Sequence, residues 1–83
     1  MIHNVYSVFD SKAKAYLPPF FLQNNEVACR VFGDCANDPS HSFCKFAADF
    51  TLFKIGVFDD QTGVIVDGAP FVNLGLAAQF KGV

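Results

Sequence analysis

Asp49-Phe50-Thr51-Leu52-Phe53-Lys54-Ile55-Gly56-Val57-Phe58-Asp59-Asp60-Gln61-Thr62-Gly63-Val64-Ile65-Val66 reads as a strand, a tight turn and a returning strand. Aromatic and β-branched residues crowd the first arm, and these fit a pleated, half-buried surface. A two-residue period puts Thr51, Phe53, Ile55 and Val57 on one face and Leu52, Lys54, Gly56 and Phe58 on the other. Asp59 to Gly63 forms the turn. An Asp side chain there can bond the turning backbone, and Gly63 takes positive φ without a Cβ clash.

Upstream, residues 3 to 9 alternate as a strand. Asp10 to Lys14 is a polar connection, read as a hairpin loop, and Tyr16 to Leu22 is the returning strand. Pro18 and Pro19 lack donors, so that strand lies at an edge or is irregular there. Asn24 and Asn25 are N-cap candidates, and Glu26 sits where a helix dipole favours negative charge. Val27, Val31 and Cys35 recur every four residues, with Ala28 and Phe32 widening the stripe. This predicts an amphipathic helix of about three turns, ended by Asn37-Asp38-Pro39. Residues 40 to 48 read either as a short helix capped by Ser40, with Phe43, Phe46 and Ala47 on one side, or as a loop packed by its own aromatics. Asp67-Gly68-Ala69-Pro70 reads as turn punctuation. Phe71 to Phe80 reads as a fifth strand or a short helix, with a strand or mixed segment preferred. The expectation is an α+β fold: a single domain over residues 1–83, with an antiparallel sheet of four to five strands and one main helix packed on one face.

The chain is 83 residues long, 52% apolar or aromatic, with eleven Phe. So much apolar surface is hard to hide in the interior of a small domain. A homodimer is therefore expected, built on the sheet face that one helix cannot cover. The net charge of −2 is no footprint for strong duplex binding, which takes a basic surface. It leaves room for single-strand binding, where aromatic stacking supplies part of the affinity. Three cysteines cannot pair completely, and with no signal peptide in view a reducing cytosol is expected. No apolar run approaches the roughly 20 residues of a membrane helix, so no membrane partner is expected.

Cys29, Cys35, His41 and Cys44 have the ligand chemistry of zinc. Their spacing argues otherwise, because Cys29 and Cys35 are about 240° apart around a helix. Neither a metal nor any other cofactor is expected. Asp59 and Asp60 are adjacent turn residues, and the His41–Cys44 pair lacks a third group, so no catalytic role is expected. The six glycines are scattered singly and build no phosphate loop. For single-stranded DNA the candidate residues are Tyr6, Lys12, Lys14 and Tyr16 on the first hairpin, with Arg30 and Lys54 as further cations.

Several blocks together carry a resemblance: Asn4-Val5-Tyr6-Ser7-Val8-Phe9-Asp10-Ser11-Lys12-Ala13, Pro19-Phe20-Phe21, Arg30-Val31-Phe32-Gly33-Asp34, Asn37-Asp38-Pro39, and Asp49 through Gly63. In this order they resemble the small non-structural protein of gokushoviruses, bacteriophages of the Microviridae with circular single-stranded DNA genomes. The resemblance covers nearly the whole chain and is least distinct over the last twenty residues. It implies a DNA-binding role in viral genome replication or its switch to packaging, in the host bacterial cytoplasm. It transfers no catalytic or binding residue, and the cysteines are not part of the pattern. The alternative is a dimeric adaptor that engages a viral or host replication protein without touching DNA.

Overall fold

A computed structural model describes residues 1–82. The order is β1 (Ile2–Asp10), β2 (Ala15–Tyr16), β3 (Phe20–Leu22), α1 (Asn25–Ala36), α2 (Ser42–Lys45), β4 (Phe50–Asp59), β5 (Val64–Leu76) and α3 (Ala77–Phe80). All strand pairs are antiparallel. The sheet runs β2-β1-β4-β5, and β3 also pairs with β1. This is the α+β architecture expected, with five strands and the helices on one side.

The first hairpin returns in two pieces. Tyr16 pairs with Phe9, and Phe20 to Leu22 pair with Tyr6 to Asn4. Between them stands Leu17-Pro18-Pro19, where the prolines cannot donate to β1. Leu17 still donates its N–H to Val8 O at 2.8 Å.

Asn24 caps α1, its side chain accepting from Val27 N–H at 2.9 Å. The buried residues of the helix are Ala28, Phe32 and Ala36, while Val31 is exposed. The buried stripe is thus rotated by about one residue from Val27-Val31-Cys35. Two alanines let the helix approach the sheet closely, with Phe32 as the single large knob between them. Phe32 meets Tyr6, Val8, Phe50 and Leu52 in one core with Ala47 and Ala77.

Residues 40 to 48 form the short helix, but its cap is His41 rather than Ser40. His41 Nδ1 accepts from Phe43 N–H at 3.0 Å. Ser40 instead closes a turn on Asp38. Phe43 and Ala47 pack against the core, whereas Phe46 points outward. The last segment is mixed, as read: strand to Leu76, then one turn of helix. Asn37 Nδ2 donates to Phe80 O and its Oδ1 accepts from Gly82 N–H, which latches that turn to the end of α1.

Two irregularities correct the sequence reading. Asp67-Gly68-Ala69-Pro70 is not a reversal but lies within β5, and the Ala69–Pro70 peptide is cis. Lys54 pairs with Val72 and Gly56 with Asp67, so residues 68 to 71 stand opposite Ile55 alone. The chain leaves the ladder and rejoins it. Asp67 Oδ1 accepts the Ala69 N–H at 2.7 Å, satisfying a donor the ladder leaves free. On the other side Val5 pairs with Gly56 and Tyr6 with Lys54, so Ile55 is skipped there too. One skipped residue reverses the facing of everything beyond it. Phe58 therefore joins the face of Phe53 instead of the opposite one.

Candidate nucleic-acid interface

Strand alternation sends Tyr6 and Val8 toward α1 and sends His3, Val5, Ser7 and Phe9 to the outer face. Tyr16 lies opposite Phe9, Phe53 opposite Ser7, and Asn73 beyond Phe53. Tyr16 is the centre of an aromatic group. Its ring centroid is 4.9 Å from Phe9, 5.9 Å from Phe53 and 5.9 Å from Phe71, the last two edge-on. Tyr16 nonetheless remains 46% exposed.

The turn that leads into Tyr16 carries Lys12 and Lys14, both exposed. Asp10 Oδ1 accepts from the N–H groups of Lys12 and Ala13, and Lys14 sits at φ 56° to close the reversal. Asp10 and Asp49 flank this turn, the latter through Ser11 N–H to Asp49 O at 2.9 Å. These acids limit how many phosphates the corner can neutralise.

The other end of the outer face holds a second group. Phe58 lies 5.7 Å from Phe21 and 6.0 Å from His3 between ring centroids. His3 Nε2 is 2.8 Å from one Asp60 oxygen, and the Met1 ammonium is 2.7 Å from the other. The bond from that ammonium, then the bond to His3, holds the Asp60 carboxyl below its ordinary range. Asp60 in turn raises the ammonium. A depressed carboxylate adds stability above its unfolded pKa and loses it as pH falls through the folded one. A raised ammonium adds stability below its unfolded value and loses it as pH rises through the folded one. Asp60→Asn is therefore expected to lower the melting temperature slightly near neutral pH, with the difference fading toward acid and toward alkali. Thermal melts of both proteins across pH check this; a difference that grows at acid pH contradicts it.

Of the six residues proposed from sequence, three share the corner: Lys12, Lys14 and Tyr16. Tyr6 is fully buried, with its hydroxyl donating to Asn25 Oδ1 at 2.7 Å, and offers no face to a base. Burial pushes its phenol up. Lys54 is half-buried on the helix side, in a depression with Asn4, Asn24, Asn25 and Glu26. Arg30 is exposed on α1 beside Glu26 and Asp34. The structure does not bring these last three to the corner. It adds Phe9, Phe53 and Phe71. Phe9 and Phe53 were legible as outward residues of alternating strands. Phe71 was not, because the bulge in β5 sets its facing.

Burial raises the thiols of Cys29 and Cys35, and His41 Nδ1 is engaged in its cap. Among the described residues no three His, Cys, Asp or Glu side chains gather where they could hold a metal ion. An apolar cleft of about 340 Å³ opens between α1 and the Leu17–Phe20 segment. Val31, Phe32, Cys35 and Phe43 line it, and no carboxylate or imidazole does. No helix among the described residues is long and apolar enough to cross a membrane.

The outer sheet face of this small α+β protein thus carries clustered aromatic rings with a cationic turn at one corner. The chain belongs to the Phage ORF5 protein family, whose family model matches residues 3–80. It is thus a bacteriophage protein. No curated protein and no solved structure matches it.

Proposed function

We propose that this is a non-catalytic, non-structural phage protein of the gokushovirus type that binds single-stranded DNA in the host cytoplasm, during genome replication or its switch to packaging. The observation that carries this reading is Tyr16, exposed among Phe9, Phe53 and Phe71 and joined directly to the turn bearing Lys12 and Lys14. Bases stack on the rings while the lysines meet phosphates, the combination that sequence-tolerant single-strand binders use. Lys54 and Arg30 lie too far toward the helix side to join that contact, and Glu26 accompanies both.

With two cations at the corner, affinity is expected to be on the order of micromolar or weaker and to fall with salt. Fluorescence anisotropy of a labelled oligonucleotide at low and moderate salt tests this. Tyr16→Ala is expected to cost about 1–3 kcal/mol for each base that stacks there. Lys12→Ala with Lys14→Ala is expected to flatten the salt dependence by about 1.4 in slope, at about 0.7 per phosphate on a single strand. No binding by the wild type at low salt removes the proposal.

A second reading is an adaptor that engages a replication protein. Its support is the apolar length of β5, where Val64, Ile65, Val66, Phe71 and Val72 are all exposed. A partner captured without any oligonucleotide binding would favour it.

A further inference from the structure

We propose that the outer face of the sheet pairs with the same face of a second copy, and that this pairing masks the surface used for DNA. The masking rests on the reading above; the pairing does not.

Core packing places α1, α2 and α3 on the opposite side of the sheet. No helix among the described residues covers the outer face: its aromatic rings shield Val5 and Ser7 in the middle, but Tyr16 is 46%, Phe21 49%, Ile65 63% and Phe71 40% exposed. Several polar groups on this face already have internal partners. Ser7 Oγ donates to Leu17 O, Asn73 Oδ1 accepts from Gly75 N–H, and both Asp60 oxygens are engaged by Met1 and His3. An apolar surface laid over the face leaves these bonds intact. The complementary apolar surface at hand is the same face of another copy.

The size is sufficient. The β1–β4 ladder runs from Ile2 to Asp10, about 30 Å at about 3.3 Å per residue, and four strands spaced about 4.8 Å make roughly 19 Å of width. Two such faces together bury on the order of 1,100 Å², just above the roughly 1,000 Å² a specific interface requires. Edge pairing is a poorer route. The β2–β3 edge is broken by Pro18-Pro19, and the β5 edge by the bulge at residues 68 to 71. Face-to-face packing about a two-fold closes as a dimer and makes a sandwich of two sheets about 10 Å apart. The interface then contains Tyr16 and Phe71, so DNA and the second copy compete for the same rings.

Sedimentation velocity over a micromolar concentration series, with and without a labelled oligonucleotide, tests both halves. Wild type is expected to dimerise, and oligonucleotide to drive it toward a one-to-one complex. Ile65→Asp places an unpaired charge in the interface and is expected to weaken the dimer about tenfold or more. Ile65→Lys should do the same, since apolar burial rather than charge sign is at stake. Ile65 is so exposed in one copy that melts of both variants should match wild type at concentrations where wild type is monomeric. In anisotropy at protein concentrations where wild type is dimeric, Ile65→Asp should bind oligonucleotide more tightly than wild type despite its added negative charge.

A wild type that stays monomeric, or a dimer that survives both substitutions with its melt unchanged, overturns the pairing and leaves the DNA reading standing. A dimer that binds oligonucleotide without dissociating overturns the masking. If the dimer breaks as expected yet neither wild type nor the monomeric variant binds oligonucleotide, the pairing stands and the DNA reading falls.

Discussion

Phe32→Ala is expected to remove a large share of the protein's folding stability. Phe32 is 2% exposed and is the one large side chain that α1 drives into the core. Its ring centroid lies 5.3 Å from Phe43 and 5.5 Å edge-on from Phe80, so it ties α1 to α2 and α3 as well as to the sheet. Its helix neighbours on the buried stripe, Ala28 and Ala36, are too small to fill the space it would vacate. Truncating such a Phe costs about 3–5 kcal/mol, transfer and cavity together. A chain of this length has only about 4–12 kcal/mol of stability in all. Urea titration followed by circular dichroism measures the loss. Phe46→Ala is the matched control: Phe46 is 58% exposed, and its loss should stay within about 0.5 kcal/mol. Equal effects at the two positions would mean that α1 does not dock through Phe32.

Gly56→Ala is expected to break the pairing of β4 with β5. A Cβ at Gly56 would lie 2.5 Å from the carbonyl oxygen of Val66, a backbone atom of the neighbouring strand. No side-chain rotation relieves that clash; β4 and β5 must separate. The reverse approach is nearly as close, since a Cβ on Gly68 would meet Gly56 N at 3.1 Å. The two glycines let the strands close up where residues 68 to 71 bulge out. Overpacking in a core costs about 1–3 kcal/mol and occasionally more; here it also opens ladder bonds beside it. The expected result is a lower urea midpoint and faster amide exchange at Val57, Phe58 and Val66. Gly63→Ala separates this from loss of glycine freedom: Gly63 has φ +74° but nothing within 4 Å of a Cβ, so it should be strained without being crowded. A Gly56→Ala protein with wild-type exchange along β4 and β5 would contradict this close approach.

Local chemistry was readable from the chain. Asn24 offers an acceptor where a helix must begin, and Pro39 prevents that helix from continuing. Asp59 Oδ1 accepts the Gln61 N–H and Gly63 supplies the positive φ, so the turn between β4 and β5 closes where its residues require. Pro18 and Pro19 cannot donate, and the strand that contains them breaks into β2 and β3. Each of these depends on groups a few residues apart, whose geometry the backbone itself constrains. The candidate site was legible only where it is also local: Lys12, Lys14 and Tyr16 follow one another around a single turn.

Facing was another matter, because it depends on pairing between distant segments. Tyr6 and Tyr16 look alike in sequence, yet β1 turns Tyr6 under α1 and β2 leaves Tyr16 on the open face. Phe53 and Phe58 are five residues apart, which a regular strand would send to opposite sides. The skipped Ile55 brings them to the same one. Phe71 reaches Tyr16 only because β5 gains three residues against β4 before rejoining it. Helix ends, turns and strand breaks followed from short-range bonding and backbone limits in the amino-acid order. The composition of the outer face followed from register, since a strand repeats every two residues and a single unpaired one exchanges inside for outside.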